Sequence, residues 1–70
     1  MSTINKLEQA LAGAQSLASQ MKTFSMDTDN QEAKQMFQQL ATNADNMVQT
    51  IQSRVNFVKE EEPQYNNNQQ

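Results

Sequence analysis

From about Asn30 to Glu62 the chain places an apolar side chain every three or four residues, over seven turns, without a break. No other feature restricts the fold so much. The positions are Ala33, Met36, Phe37, Leu40, Ala44, Met47, Val48, Ile51, Val55 and Val58. Steps of three and four are the period of one helix face, so this stretch predicts a long amphipathic helix. Lys34, Gln38, Asn43, Asp45, Gln49 and Asn56 lie off the stripe. Pro63 follows, and its ring disfavours helical geometry in the residue before it. The predicted helix therefore covers about residues 30–62.

A second stretch, about residues 3–25, has the same period in Ile4, Leu7, Leu11, Ala14, Leu17, Ala18, Met21 and Phe24. Ser2 or Thr3 can cap its start by offering an oxygen to an unpaired backbone N–H. Gly13 is out of place, because a glycine inside a helix costs about 1 kcal/mol relative to alanine. It lies among Ala10, Ala14 and Ala18. Either that small stripe admits a close helix, or Gly13 is a tolerated surface residue.

Between the helices, Ser25-Met26-Asp27-Thr28-Asp29 carries neither Gly nor Pro. Here capping chemistry marks the break: Asp29 as N-cap places Glu32 at N3, the capping-box spacing. A calcium loop starting at Asp27 would need Gly at its sixth position and Glu at its twelfth. Those positions hold Glu32 and Gln38, which excludes it.

Two helices joined by about four residues fold back as an antiparallel hairpin. The expected fold class is therefore all-α, with residues 1–65 forming a two-helix hairpin and 66–70 a disordered Asn/Gln tail. At 1.5 Å per residue the helices would be roughly 33 and 48 Å long. The second would overhang the first, leaving Val55, Phe57 and Val58 without a partner inside the hairpin. Small domains lacking disulfides or metals usually reach stability by oligomerising. The expectation is a homo-oligomer, a dimer first, in which two hairpins pair into a four-helix bundle.

Composition narrows the function classes. With no Cys and no His, neither a Cys–His or Ser–His pair nor a Cys or His metal site can form. A single Gly rules out a glycine-rich phosphate loop. Paired carboxylates would need a walled cleft to tune them, and a two-helix hairpin has none. No catalytic residue, metal or cofactor is expected.

A net charge of −3, with five scattered basic residues, argues against nucleic acid as a partner. No apolar run approaches the roughly 20 residues a membrane span needs, so no membrane insertion is expected. The opening MSTINKLEQ lacks signal-peptide layout, which suggests a cytoplasmic protein. Gln and Asn supply 20 of the 70 residues, read here as an amide-rich helix surface. Met21, Met36 and Met47 fall at core spacing and read as packing residues.

The run Lys59-Glu60-Glu61-Glu62-Pro63-Gln64-Tyr65 has two readings. One is a helix terminator with solvated charges. The other is a docking element, an acidic cluster of Glu60, Glu61 and Glu62 followed by an aromatic anchor, Tyr65. With Val55, Phe57 and Val58 these form the candidate interaction surface.

The segment Gln31-Glu32-Ala33-Lys34-Gln35-Met36-Phe37, then Arg54-Val55 and the ending Glu61-Glu62-Pro63-Gln64-Tyr65, resembles domain-of-unknown-function family 1657. Its members are small proteins of endospore-forming Firmicutes. The ending is the most specific part, and the resemblance runs from about Leu7 to Tyr65. It implies a spore-associated setting, near genes for spore membrane channel proteins, and no established activity. The functional expectation is a self-associating structural or adaptor protein. The alternative is a module that accepts a helix from another protein, which could be a membrane protein.

Overall fold

The computed structural model describes residues 2–69, with side chains described through Glu61. It is an antiparallel pair of helices, α1 (Thr3–Asp27) and α2 (Gln31–Gln69). The hairpin is a flat rod of 56 × 17 × 12 Å, two helices wide and one deep.

Ser2 is the N-cap of α1, its hydroxyl accepting the Asn5 N–H at 3.2 Å. The far end closes without glycine. Thr28 turns extended, at φ −84° and ψ 139°, and its N–H donates to the Phe24 carbonyl. No described residue has positive φ, so the three-residue link Thr28-Asp29-Asn30 uses ordinary backbone conformations.

The cap of α2 corrects the sequence reading. Asn30, and not Asp29, is the N-cap: its Oδ1 accepts the Ala33 N–H at 2.8 Å, and its carbonyl accepts from Lys34. Asn and Asp cap equally well, so local chemistry alone did not separate them. The Thr28 hydroxyl, accepting the Asn30 N–H at 3.3 Å, favours the later register. Glu32 still lies in the first turn, where its charge suits the macrodipole.

At its other end α2 has helical backbone to Gln69, past the stop expected at Pro63. The side chains of 62–70 lie outside the described residues. So do the tail's terminal residue and the side-chain behaviour expected of Glu62 and Tyr65.

The register of the pair is marked at three levels. Phe24 and Phe37 meet edge to face, with ring centroids 5.5 Å apart, next to the turn. Lys22 reaches Asp45 at 3.4 Å, and near the open end Lys59 reaches Glu8 at 3.6 Å. Both ion pairs are about half exposed, so they indicate register more than stability.

In this register Ala14 and Ala18 lie beside Ala44 and Ala41, and all four are buried to 2–6% exposure. Alanines at the contact let the helix axes come close, toward the 8 Å end of the usual range. Larger side chains close the seam on either side: Leu7, Leu11, Val48 and Ile51 are half-buried. Ser25 is buried as well, and its hydroxyl donates to the Lys22 carbonyl at 2.7 Å.

Gly13 is not part of this close approach. It is exposed, and nothing lies within 4 Å of where its Cβ would be. Of its two readings, the surface glycine is the one the fold supports. The amide-rich surface also has a local role, since Gln39 bonds Asn43 and Gln52 bonds Asn56, four residues apart in each case. Such pairs add a few tenths of a kcal/mol each to a helix.

Candidate interaction surface

The apolar residues of α2 divide into two stripes. One runs Phe37, Ala41, Ala44, Val48, Ile51, Val55 and Val58, in steps of four and three, and packs on α1. The other begins one residue earlier, at Met36, Leu40 and Met47, and continues along the helix to Phe57. It faces outward: Met36 and Met47 are 50% exposed, Leu40 40% and Phe57 52%. This corrects the expectation that Met36 and Met47 are core. A hairpin only one helix deep can bury one stripe per helix, and the alanine stripe permits the closer packing.

On α1 the matching outward residues are Leu17 and Phe24, seven apart and both more than two-fifths exposed. The two helices present their second stripes on the same side. Leu17 and Met21 of α1 join Leu40, Asn43, Ala44 and Met47 of α2 around one shallow cleft of about 170 Å³. Apart from Asn43 every lining residue is apolar. Six of the seven exposed large side chains among the described residues, Met26 being the other, offer along this stripe apolar surface on the order of 500 Å², the upper range of what a monomer normally exposes.

Toward the open end the stripe changes character. Arg54 lies over the Phe57 ring, 5.2 Å from its centroid. Among the described residues the ion pairs are Lys22–Asp45 and Lys59–Glu8, so Arg54 has no carboxylate partner there. At the opposite end, the turn carries Asp27, Asp29 and Glu32, also outside those pairs.

The residues expected to form the surface do not come together as one. Val55 is 1% exposed, the largest side chain fully buried in the hairpin. It has a partner because α1 runs on to Asp27 and α2 starts only at Gln31, which brings the start of α1 to about the level of Val58, so the overhang starts later than expected. Val58 and Glu61 are half-buried, whereas Phe57 and Glu60 are exposed. Glu62 and Tyr65 lie outside the described side chains. Sequence reasoning passed over Leu17, Phe24, Leu40, Met36 and Met47 as surface residues. The signal was present: Leu17 and Phe24, like Leu40 and Met47, stand seven apart, offset around each helix from Ala14, Ala18, Ala41 and Ala44.

These features define a small all-α hairpin with one internal seam and one outward apolar stripe. Among the described residues no helix is long and apolar enough to cross a membrane. The chain belongs to the family described as "Protein of unknown function (DUF1657)", which matches residues 7–55. The matched span holds the seam and most of the stripe. It stops short of Glu61–Tyr65, the part of the resemblance that looked most specific. No curated protein and no solved structure matches the chain.

Proposed function

We propose that this protein is a non-enzymatic, self-associating helical hairpin, a dimer first, with a structural or adaptor role. One observation carries the reading: Leu17, Phe24, Met36, Leu40 and Met47 stand 40–50% exposed along one side of the hairpin. Large apolar side chains left in water at regular helical spacing are the usual sign of a surface that another helix covers. Pairing two hairpins through this side would give a four-helix bundle whose inner layers repeat the heptad spacing of the seam. The cytoplasmic location rests on the layout of the opening residues, and the place in spore formation on the family resemblance alone.

Sedimentation equilibrium over a wide concentration range, with circular dichroism on the same samples, tests this. The wild-type chain is expected to be a helical dimer. The double substitution Leu40→Glu/Met47→Glu is expected to weaken association at least a hundredfold, because it would bury two carboxylates per chain. The variant should stay helical, since neither residue belongs to the seam. A well-folded wild-type monomer at every concentration would overturn the proposal. A helix-poor monomer that gains helicity only with another protein would replace it with the helix-accepting module.

A further inference from the structure

We propose that Met36 and Met47 form an oxidation site at which a peroxide switches off association of the hairpin without unfolding it. The inference rests on the self-association proposed above and adds a means of regulating it. The chain has no Cys, so methionine thioethers hold its only sulfur atoms. Met36 and Met47 are each 50% exposed on the outward stripe, with Leu40 between them. About three helical turns separate them, which puts both on one face of α2. Met47 also lines two neighbouring clefts, one shared with Leu17 and Met21 of α1, the other with Thr50 and Ile51.

Oxidation changes polarity where apolar contact is needed. The thioether sulfur attacks one oxygen of the peroxide, and the S–O bond forms as the O–O bond breaks. Sulfur loses two electrons and the peroxide gains them. The departing oxygen takes up the proton released by the transferred one and leaves as water or an alcohol. The product is a polar sulfoxide, a change that disrupts methionine-lined interfaces. Of the side chains lining the cleft against α1, only the Asn43 amide can donate a hydrogen bond to the new oxygen. Covering an unpaired sulfoxide costs affinity on the order of tenfold for each side chain. A sulfoxide reductase, drawing two electrons from thiols, removes the oxygen as water, so the step is reversible.

The hairpin itself survives the change. Its buried apolar residues are Ala14, Ala18, Ala41, Ala44 and Val55, none of which carries sulfur. Met26 supplies an internal reference. It is 73% exposed, follows the buried Ser25, and lies on the far side of it from Phe24, away from the stripe. Met26 therefore reacts without bearing on association. Met36 and Met47 are open to a peroxide in the free hairpin and would be covered in the dimer, so association and oxidation compete.

The test adds hydrogen peroxide to the full chain at low and high chain concentration and follows each methionine by peptide mass. At low concentration Met26, Met36 and Met47 are all expected to gain oxygen. At high concentration Met36 and Met47 should slow relative to Met26. The oxidised chain should keep its helical circular dichroism and associate about tenfold more weakly, or worse, in sedimentation. Treatment with methionine sulfoxide reductase and a thiol should restore it. Leucine nearly matches methionine in volume and carries no sulfur. Met36→Leu/Met47→Leu, compared before and after peroxide, should lose the response, and Met26→Leu should keep it. Unchanged association once Met36 and Met47 are oxidised would overturn the inference while leaving self-association standing. So would a response that survives in Met36→Leu/Met47→Leu, or a loss of helicity on oxidation. An unoxidised wild-type chain that sediments as a monomer at every concentration would remove both.

Discussion

The seam and the stripe are built from the same two helices with the same heptad spacing, yet at mid-length they hold opposite kinds of residue. Where the helices meet, the central positions are Ala14, Ala18, Ala41 and Ala44, all nearly inaccessible. A quarter-turn away, the stripe holds Leu17, Phe24, Leu40 and Met47, all at least 40% exposed. A chain that only needed to bury its largest side chains would have placed them the other way round. Small residues in the seam bring the axes close and make many short contacts, but they take little apolar area out of water. Part of the hydrophobic free energy available to Leu17, Phe24, Leu40 and Met47 is left for something outside the hairpin. The contrast shows that apolar size and burial need not coincide in a small helical protein.

The contrast breaks most strongly if a large side chain is placed in the seam. Ala44→Leu is expected to destabilise the hairpin by about 1–3 kcal/mol, because it forces the helices apart along their closest contact. Leu40→Ala, which removes the same side chain from the stripe, should leave the helical fold of each hairpin nearly unchanged and weaken association instead. Urea unfolding and sedimentation, compared at one chain concentration, separate the two effects. Equal losses of hairpin stability would mean that Leu40, and not the alanine level, is where the helices pack.

A smaller effect sharpens the comparison at the turn, which holds the two stripes in register. Asn30→Ala should cost about 1 kcal/mol, since it frees the Ala33 N–H that Asn30 caps. Asp29→Ala should cost clearly less. Thermal unfolding of the two variants side by side decides between them, and a larger loss at Asp29 would restore the capping box expected from the sequence.

Much of the fold was legible because period and punctuation agree. The three-four spacing announced both helices, and the polar run at 25–30 announced the hairpin. What was not legible was the division of one broad apolar band into two stripes. Met36 and Phe37, or Met47 and Val48, are adjacent in sequence and equally apolar, so periodicity alone assigns both to a core. Which member of each pair turns inward depends on how closely the helices approach, and that is set by alanines on the opposite helix. Val55 was misplaced for a related reason. Its neighbour Phe57 is truly exposed, and only the end of α1 at Asp27 and the start of α2 at Gln31 set the register in which Val55 still lies beside α1. Ser25 was read as part of the break because its buried hydroxyl is satisfied by the Lys22 carbonyl, a local bond the polar sequence does not announce.

Gly13 gives the smallest effect and the finest test of where the outward surface ends. It lies on α1 one turn before Leu17, on the side of the stripe farther from the seam, and the hairpin places nothing within 4 Å of an added Cβ. Gly13→Ala should therefore stabilise the isolated hairpin by about 0.5–1 kcal/mol, through better helix propensity and a less mobile unfolded chain. Urea unfolding at low chain concentration, where the hairpin is monomeric, measures that gain without interference from association. The same variant at high concentration then reports on the second chain. If the gain persists, the interface is confined to the stripe and Gly13 faces water in the dimer as well. If it reverses as the chains associate, a neighbouring helix approaches α1 so closely that even a methyl group obstructs it. In that case the glycine is retained for the contact between copies, and the small-residue surface of α1 has two sides, one turned to α2 and the other to the partner.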